Sequence, residues 1–161
     1  MIAVEEAEAR IRAALAPLPV EWRHVDAAHG RVLGAGLAAR RDQPAADVSA
    51  MDGYAVRAAE AVEGAVLAVE GEAAAGSEDV GPLAPGTARR IFTGGIVPAG
   101  ADTILIQENA ERDGERVGVR AAAEPDRHIR RRGQDFTAGA AVLEAGRVLT
   151  ARDLGLAVAL G

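Results

Sequence analysis

ARRIFTGGIVPAGADTILIQEN, residues 88–109, carries short apolar runs, Ile91-Phe92, Ile96-Val97 and Ile104-Leu105-Ile106, parted by Gly94, Gly95, Pro98 and Gly100. Runs this short, with Gly and Pro between them, read as strands joined by tight connections. The same texture extends outward on both sides. YAVRA (54–58) and AVLAVEGEA (65–73) precede the stretch, and ERVGVR (115–120) follows it. Helices do not fit between runs so closely spaced, which argues against a doubly wound parallel sheet. The pattern predicts a compact sheet or distorted barrel.

Beyond this centre the ends of the chain carry helices. Val4, Ala7, Ile11 and Leu15 recur at helical spacing, with Glu5, Glu6 and Glu8 early and Arg10 and Arg12 later, as the helix dipole favours. Pro17 and Pro19 end that helix. VEWRHVDA (20–27) alternates as a short strand, with Val20, Trp22 and His24 on one side. Near the other end AAVLEAGRVLT (140–150) reads as a hairpin-like pair around Glu144–Gly146. ARDLGLAVALG (151–161) is a short helix capped by Thr150. Two polar connections, RRDQPAAD (40–47) and PDRHIRRRGQD (125–135), frame the β-rich stretch. The fold class is therefore α+β. Gly161 fits equally a chain that stops and one that runs on into another element.

Composition limits the chemistry. Hydrophobic residues are 49% of the chain but aromatics only 2%, so the core is built from Ala, Val, Leu and Ile. Such side chains bury little area each, at roughly 25 cal/mol per Å², and support from a neighbouring subunit is expected. All 18 basic residues are Arg and none is Lys, which marks a compositional bias and discounts any single Arg cluster as a binding site. The net charge of −6 speaks against nucleic acid and anionic membranes as partners. No cysteine is present, which excludes disulfides, zinc-thiolate sites and thiol nucleophiles. The N-terminus has acidic charges where a secretory signal needs basic ones, and no run approaches a membrane span, so a soluble cytoplasmic protein is expected.

Three polar segments at loops or strand ends can carry chemistry. SAMDGYAV (49–56) places Ser49 and Asp52 beside the only Tyr of the chain; an Asp-Gly pair before a strand is most often a tight turn. Thr93-Gly94-Gly95 can expose a hydroxyl and amides to an oxyanion, though Gly-Gly alone is more often a bulge. It is not a phosphate-binding P-loop, since no Lys follows and no helix opens there. In HIRRRGQD (128–135) three consecutive arginines need counter-charges or an anionic ligand. If extended, Arg130 and Arg132 share a face and Arg131 points away. Glu108 reads as a surface carboxylate. His24 and His29 stand apart from any acidic cluster with metal-ligand spacing, and no Ser-His-Asp or Cys-His set occurs.

SAMDGYAVR (49–57), IFTGGIVPAGADTILIQE (91–108) and HIRRRGQDFTAGAAVLEAGRVLTARDLGLAVALG (128–161), in this order, resemble the molybdopterin molybdenumtransferase family, which includes the bacterial MoeA proteins and a domain of gephyrin. Weaker similarity runs through the first helix and HGRVL (29–33). The resemblance implies an enzyme that takes adenylylated molybdopterin and molybdate, inserts the metal and releases AMP, with magnesium as helper ion. It implies a homodimer, an upstream adenylylating partner, and a pterin-binding domain following Gly161, without which this chain is inactive. A non-catalytic dimerisation or scaffold module is the other reading. Residues 1–46 and 136–161 would form a discontinuous arm, with 47–135 an inserted barrel-like β lobe. Asp52, Thr93 and Asp135 match the family's polar cleft positions, Asp52 or Asp135 serving to orient magnesium or water. Ser49, Gly94, Gly95, Arg130 and Arg132 would meet an anionic ligand. The chain departs from the family at His128, where Asn is usual, and at Gln134, where Glu is usual.

Overall fold

The computed structural model describes residues 2–77 and 81–161. The chain divides into two compact units, one of residues 1–37 with 143–159, the other of residues 38–142 with 160–161. Segments 38–46 and 136–142, which the sequence reading places in the arm, cluster with the larger unit. The cause lies in the two polar connections. Gln43 pairs with Phe136, the Asp135 amide donates to the Gln43 carbonyl, and the Gly133 amide donates to Pro44.

The larger unit is organised on a six-stranded, curled half-barrel sheet. Its strands are β3 (Gly53–Val56), β4 (Val66–Ala73), β5 (Thr87–Ile91), β6 (Thr103–Ile106), β7 (Ala110–Asp113) and β8 (Arg116–Val119), in spatial order β6-β3-β5-β4-β8-β7. Every pairing is antiparallel except β4 with β5. Two further short ladders are β1 (Leu37–Ala38) with β10 (Ala141–Leu143) and β2 (Val48–Ser49) with β9 (Ile129–Arg130).

Alternation along these strands feeds a core on each face. Tyr54, Val56, Leu67, Ala88, Leu105, Val117 and Val119 pack together on one side, and Ala55, Ala73, Ile91 and Ile104 on the other. Leu67 and Ala73 lie an even number of residues apart yet serve opposite faces. The register shift between Val69 and Glu72 accounts for this, because one residue out of step reverses every later side chain. The edge strand β7 was not legible in sequence, since AERD has no apolar alternation. It pairs only with β8, and its charged side chains discourage pairing with another chain.

In the smaller unit, α1 (Val4–Ala14) forms where expected, with ion pairs Arg10–Glu6 and Arg12–Glu8 both at 2.6 Å. It buries no residue. The strand expected at 20–27 does not form. Residues 20–24 are irregular, Val25–Ala27 is one 3-10 turn, and Trp22 is fully exposed. An alternating run with no partner ladder has nothing to hold it extended. The hairpin expected within 140–150 does not close on itself either. Its second half pairs instead with the segment after Gly30: the Gly30 amide donates to Leu149, Leu33 to Arg147, and Val32 bridges Val148.

Helix α2 (Ala151–Leu160) begins at a reciprocal cap. The Thr150 hydroxyl donates to Asp153 Oδ2 at 2.7 Å, and the Asp153 amide returns to Thr150 Oγ1 at 3.4 Å. The Thr150 amide, then its hydroxyl, and the Arg147 guanidinium hold the Asp153 carboxyl below its ordinary value. Thr150→Ala removes the cap and leaves the buried Asp153 short of a donor. It is expected to lower unfolding free energy by about 1 kcal/mol, as read by urea denaturation.

Candidate active site

The site is assembled where β2 runs between two loops. On one side the Ser49 amide donates to Gly95 and the Gly94 amide to Ser49; on the other Ser49 stands opposite Ile129, and the Ala50 amide donates to His128. All three polar segments singled out in the sequence thus meet around one short strand. Ser49 itself is buried, its hydroxyl donating to the Met51 carbonyl at 2.5 Å. Its role is to shape the turn that delivers Asp52.

Asp52 is half-buried. Its Oδ1 accepts two bonds from Thr93, the amide at 2.7 Å and the hydroxyl at 2.8 Å. Bonds to the charged form favour it, so the Thr93 amide and hydroxyl, with the nearby charge of Arg90, hold the carboxyl below its ordinary value against the opposing effect of burial. Oδ2 accepts no bond from the described residues. The pair therefore turns acceptors outward: one carboxylate oxygen and the lone pairs of Thr93 Oγ1.

Two glycines make this geometry feasible. A Cβ at Gly53 would overlap the Leu105 carbonyl oxygen and stand 2.9 Å from Ile106 Cα. One at Gly95 would stand 2.5 Å from the Ala73 carbonyl oxygen. A third, Gly94, holds the left-handed conformation at φ +84° just before Gly95. The two amides expected to face an oxyanion are already used, Gly94 on Ser49 and Gly95 on Phe92. With the Thr93 amide on Asp52, the Thr-Gly-Gly loop is a closed turn rather than an anion nest.

Asp135 is exposed, and both its oxygens accept from Arg130 Nη2, at 2.9 and 2.8 Å. The other arginines of the run are also neutralised internally. Arg131 bonds Asp47 at 2.5 Å and contacts Asp126 as well. The Arg132 amide bonds Asp47 at 2.8 Å, and its Nε bonds Asp42 at 2.6 Å. Counter-charges answer the repulsion expected of three adjacent arginines. Asp42 and Asp47 come from the other polar connection, and nothing in the sequence pairs the two segments. The departures from the family are accommodated. His128 has φ +60°, a conformation in which Asn and His are both enriched, and Gln134 Oε1 accepts the Arg131 amide.

Sequence reasoning also missed Arg90. Its guanidinium lies over the Tyr54 ring at 5.2 Å and the Phe92 ring at 4.7 Å, and it donates to the Gly53 carbonyl and to Gln107 Oε1, both at 3.2 Å. As for magnesium, no group of three or more His, Cys, Asp or Glu able to hold a metal ion occurs among the described residues. Asp135 gives both oxygens to Arg130, so of the two carboxylates expected to orient magnesium only Asp52 keeps an oxygen without a bond from the described residues. No helix among the described residues is long and apolar enough to cross a membrane.

A curled sheet with an Asp–Thr pair at one strand end, in a chain that also carries helices α1 and α2, defines an α+β class of protein with a polar site at loop ends. Comparison with known proteins makes the family specific. The model of the MoeA N-terminal region (domain I and II) matches residues 2–161. Molybdopterin molybdenumtransferase 2 of Mycobacterium tuberculosis is 45% identical over 140 residues, covering 83% of this chain and 34% of the relative. Molybdopterin molybdenumtransferase of Haemophilus influenzae is 32% identical over 164 residues, covering 100% of this chain and 40% of the relative. A crystal structure of the molybdopterin biosynthesis MoeA protein from Pyrococcus horikoshii superposes with a TM-score of 0.82 at 32% identity, covering 88% of this chain and 38% of that one. The chain belongs to the MoeA family and corresponds to its N-terminal region. It spans 34% and 40% of the length of the two relatives named.

Proposed function

We propose that the protein to which this chain belongs acts in molybdenum cofactor biosynthesis in the cytoplasm, inserting molybdate into adenylylated molybdopterin with release of AMP. The observation that carries this reading is the Asp52–Thr93 pair of a MoeA-family chain, with one carboxylate oxygen fixed and the other turned outward. A carboxylate held below its ordinary value stays ionised at neutral pH. Such a group orients water or a polar substrate hydrogen at the phosphoanhydride better than it removes a proton, since a weak base gains little by accepting one. Asp135 orders the adjoining segment through Arg130. Arg130 and Arg132 meet an anionic ligand only by exchanging Asp135 and Asp42 for it, while Ser49, Gly94 and Gly95 shape the turn. No step of the proposal runs through magnesium.

The intact protein acts as a homodimer, supplied by an upstream adenylylating protein, and this region of one subunit completes the cleft of the opposite subunit. Support for a neighbour comes from α1 and its continuation, where Val4, Ile11, Leu15 and Leu18 stand exposed. The same surface suits the scaffold reading, so the test is catalytic. The full-length protein should release AMP and transfer metal, and residues 1–161 alone should do neither. Mixing an Asp52→Asn protein with one disabled beyond residue 161 should restore part of the turnover, because a hybrid dimer holds one intact cleft. No recovery after confirmed subunit exchange refutes the shared site, and turnover by residues 1–161 alone refutes the dependence on further domains.

A further inference from the structure

We propose that Arg90 is the positioning residue of the Asp52–Thr93 pair, a fixed cation that orients the carboxylate while leaving its outer oxygen free. The inference rests on the role proposed for Asp52. Its ground is how the chain uses scarce material. It contains one Tyr, one Trp and two Phe, and two of those four rings bracket this one guanidinium. The sheet register builds the clamp. Tyr54 on β3 stands opposite Arg90 on β5, and Phe92, two residues further on, shares its face, while Ile91 between them turns into the opposite core.

The acceptors are equally telling. Arg90 donates to the Gly53 carbonyl, next in the chain after Asp52, and to Oε1 of Gln107, a residue whose backbone amide donates to the Asp52 carbonyl. Both acceptors are neutral, and among the described residues no carboxylate lies within ion-pair distance of Arg90. Arg130 offers the contrast, because it occupies both oxygens of Asp135. A direct bridge of that kind at Asp52 would block the oxygen the chemistry needs. A guanidinium held between rings and fed to neutral oxygens supplies its charge to the neighbourhood without taking the carboxylate. The charge of Arg90 does reach Asp52, contributing to its lowered carboxyl. Arginine suits the task better than lysine, since a planar fork stacks between rings and serves two acceptors at once.

The test is a double-mutant cycle in the full-length protein, with molybdate and adenylylated molybdopterin as substrates. Arg90→Met keeps the apolar stem between the rings and removes charge and donors. Its kcat is expected to fall by roughly 10- to 100-fold, the scale of a misplaced reacting group, with KM within about twofold. Arg90→Lys should recover part of the loss. In the Asp52→Asn background, where no carboxylate remains to be oriented, Arg90→Met should lower kcat no further. Amide exchange at Thr93, read by hydrogen–deuterium exchange, should quicken in Arg90→Met. If that variant fails to fold, Arg90→Lys takes its place in the cycle, with a smaller loss that likewise vanishes beside Asp52→Asn. An Arg90 effect that multiplies unchanged onto Asp52→Asn, or a folded Arg90→Met with full kcat, overturns this inference alone. An Asp52→Asn protein with undiminished kcat removes the proposed role of Asp52 and this inference with it.

Discussion

Gly53→Ala should cost about 3 kcal/mol or more of unfolding free energy, the upper range for forcing atoms into a packed interior. Conformation is not the reason, because Gly53 is not among the residues with positive φ. Space is. The new methyl would overlap the Leu105 carbonyl oxygen and approach Ile106 Cα to 2.9 Å, and both obstacles are backbone of the neighbouring strand. No rotamer relieves that contact. Strand β6 must move away from β3, loosening the Gly53–Ile106 and Tyr54–Leu105 pairings and the core around Tyr54. The bond from the Gln107 amide to the Asp52 carbonyl would be lost as well. Gly155→Ala is the control: it lies within α2 with nothing near its added Cβ, and should stabilise by about 0.5–1 kcal/mol through helix propensity. Urea denaturation of both variants reads the contrast. A Gly53→Ala protein within about 1 kcal/mol of the parent would contradict the packing of β3 on β6.

The same glycine marks how far the sequence could be read. Asp-Gly before YAV looks like any tight turn, and its identity as a close approach emerges only once β6 lies alongside. Strands β3, β5, β6 and β8 were legible as short runs set between Gly, Pro and Asp, and β3 is buried along its whole length. Strand β4 was legible as a run, but not its change of face, which depends on a bulge set by its pairing with β5. Local alternation misled at Val20-Trp22-His24, where no ladder exists to exploit it, and at 140–150, where the partner proved to be the remote segment after Gly30. Pairing partners are properties of topology, and a single stretch of sequence does not contain them.

The site divides along the same line. Asp52, Thr93 and Ser49 were identifiable from their segments and are brought together. The saturation of Gly94 and Gly95 was not visible, because it depends on which carbonyls the folded chain lays beside them. Nor was the pairing of Arg131 and Arg132 with Asp47 and Asp42, more than eighty residues away in sequence. Arg90 carried a signal that was there to be used: an Arg two residues before Phe92, in a chain nearly without aromatic rings, is unusual company.

Asp52→Asn in the full-length protein should lower kcat roughly 100-fold, the scale of a misplaced reacting group, while costing little stability at neutral pH. The substitution separates charge from structure. An asparagine oxygen can still accept from both the Thr93 amide and hydroxyl, so the turn persists and only the negative charge goes. Asp52→Ala removes the acceptor too, and should add a loss of order around residues 92–95. Acid makes the distinction sharper. The carboxyl sits below its ordinary 3.8 in the folded protein, chiefly through the Thr93 amide. Its contribution to stability is therefore fully present above 3.8 and lost as pH falls through the lower folded value. The parent should lose that increment relative to Asp52→Asn only below about pH 4, whereas the difference in kcat should persist through neutral pH, where the parent carboxylate is fully ionised. Equal kcat for parent and Asp52→Asn at pH 7 would leave Asp52 a turn-forming residue with no part in the chemistry.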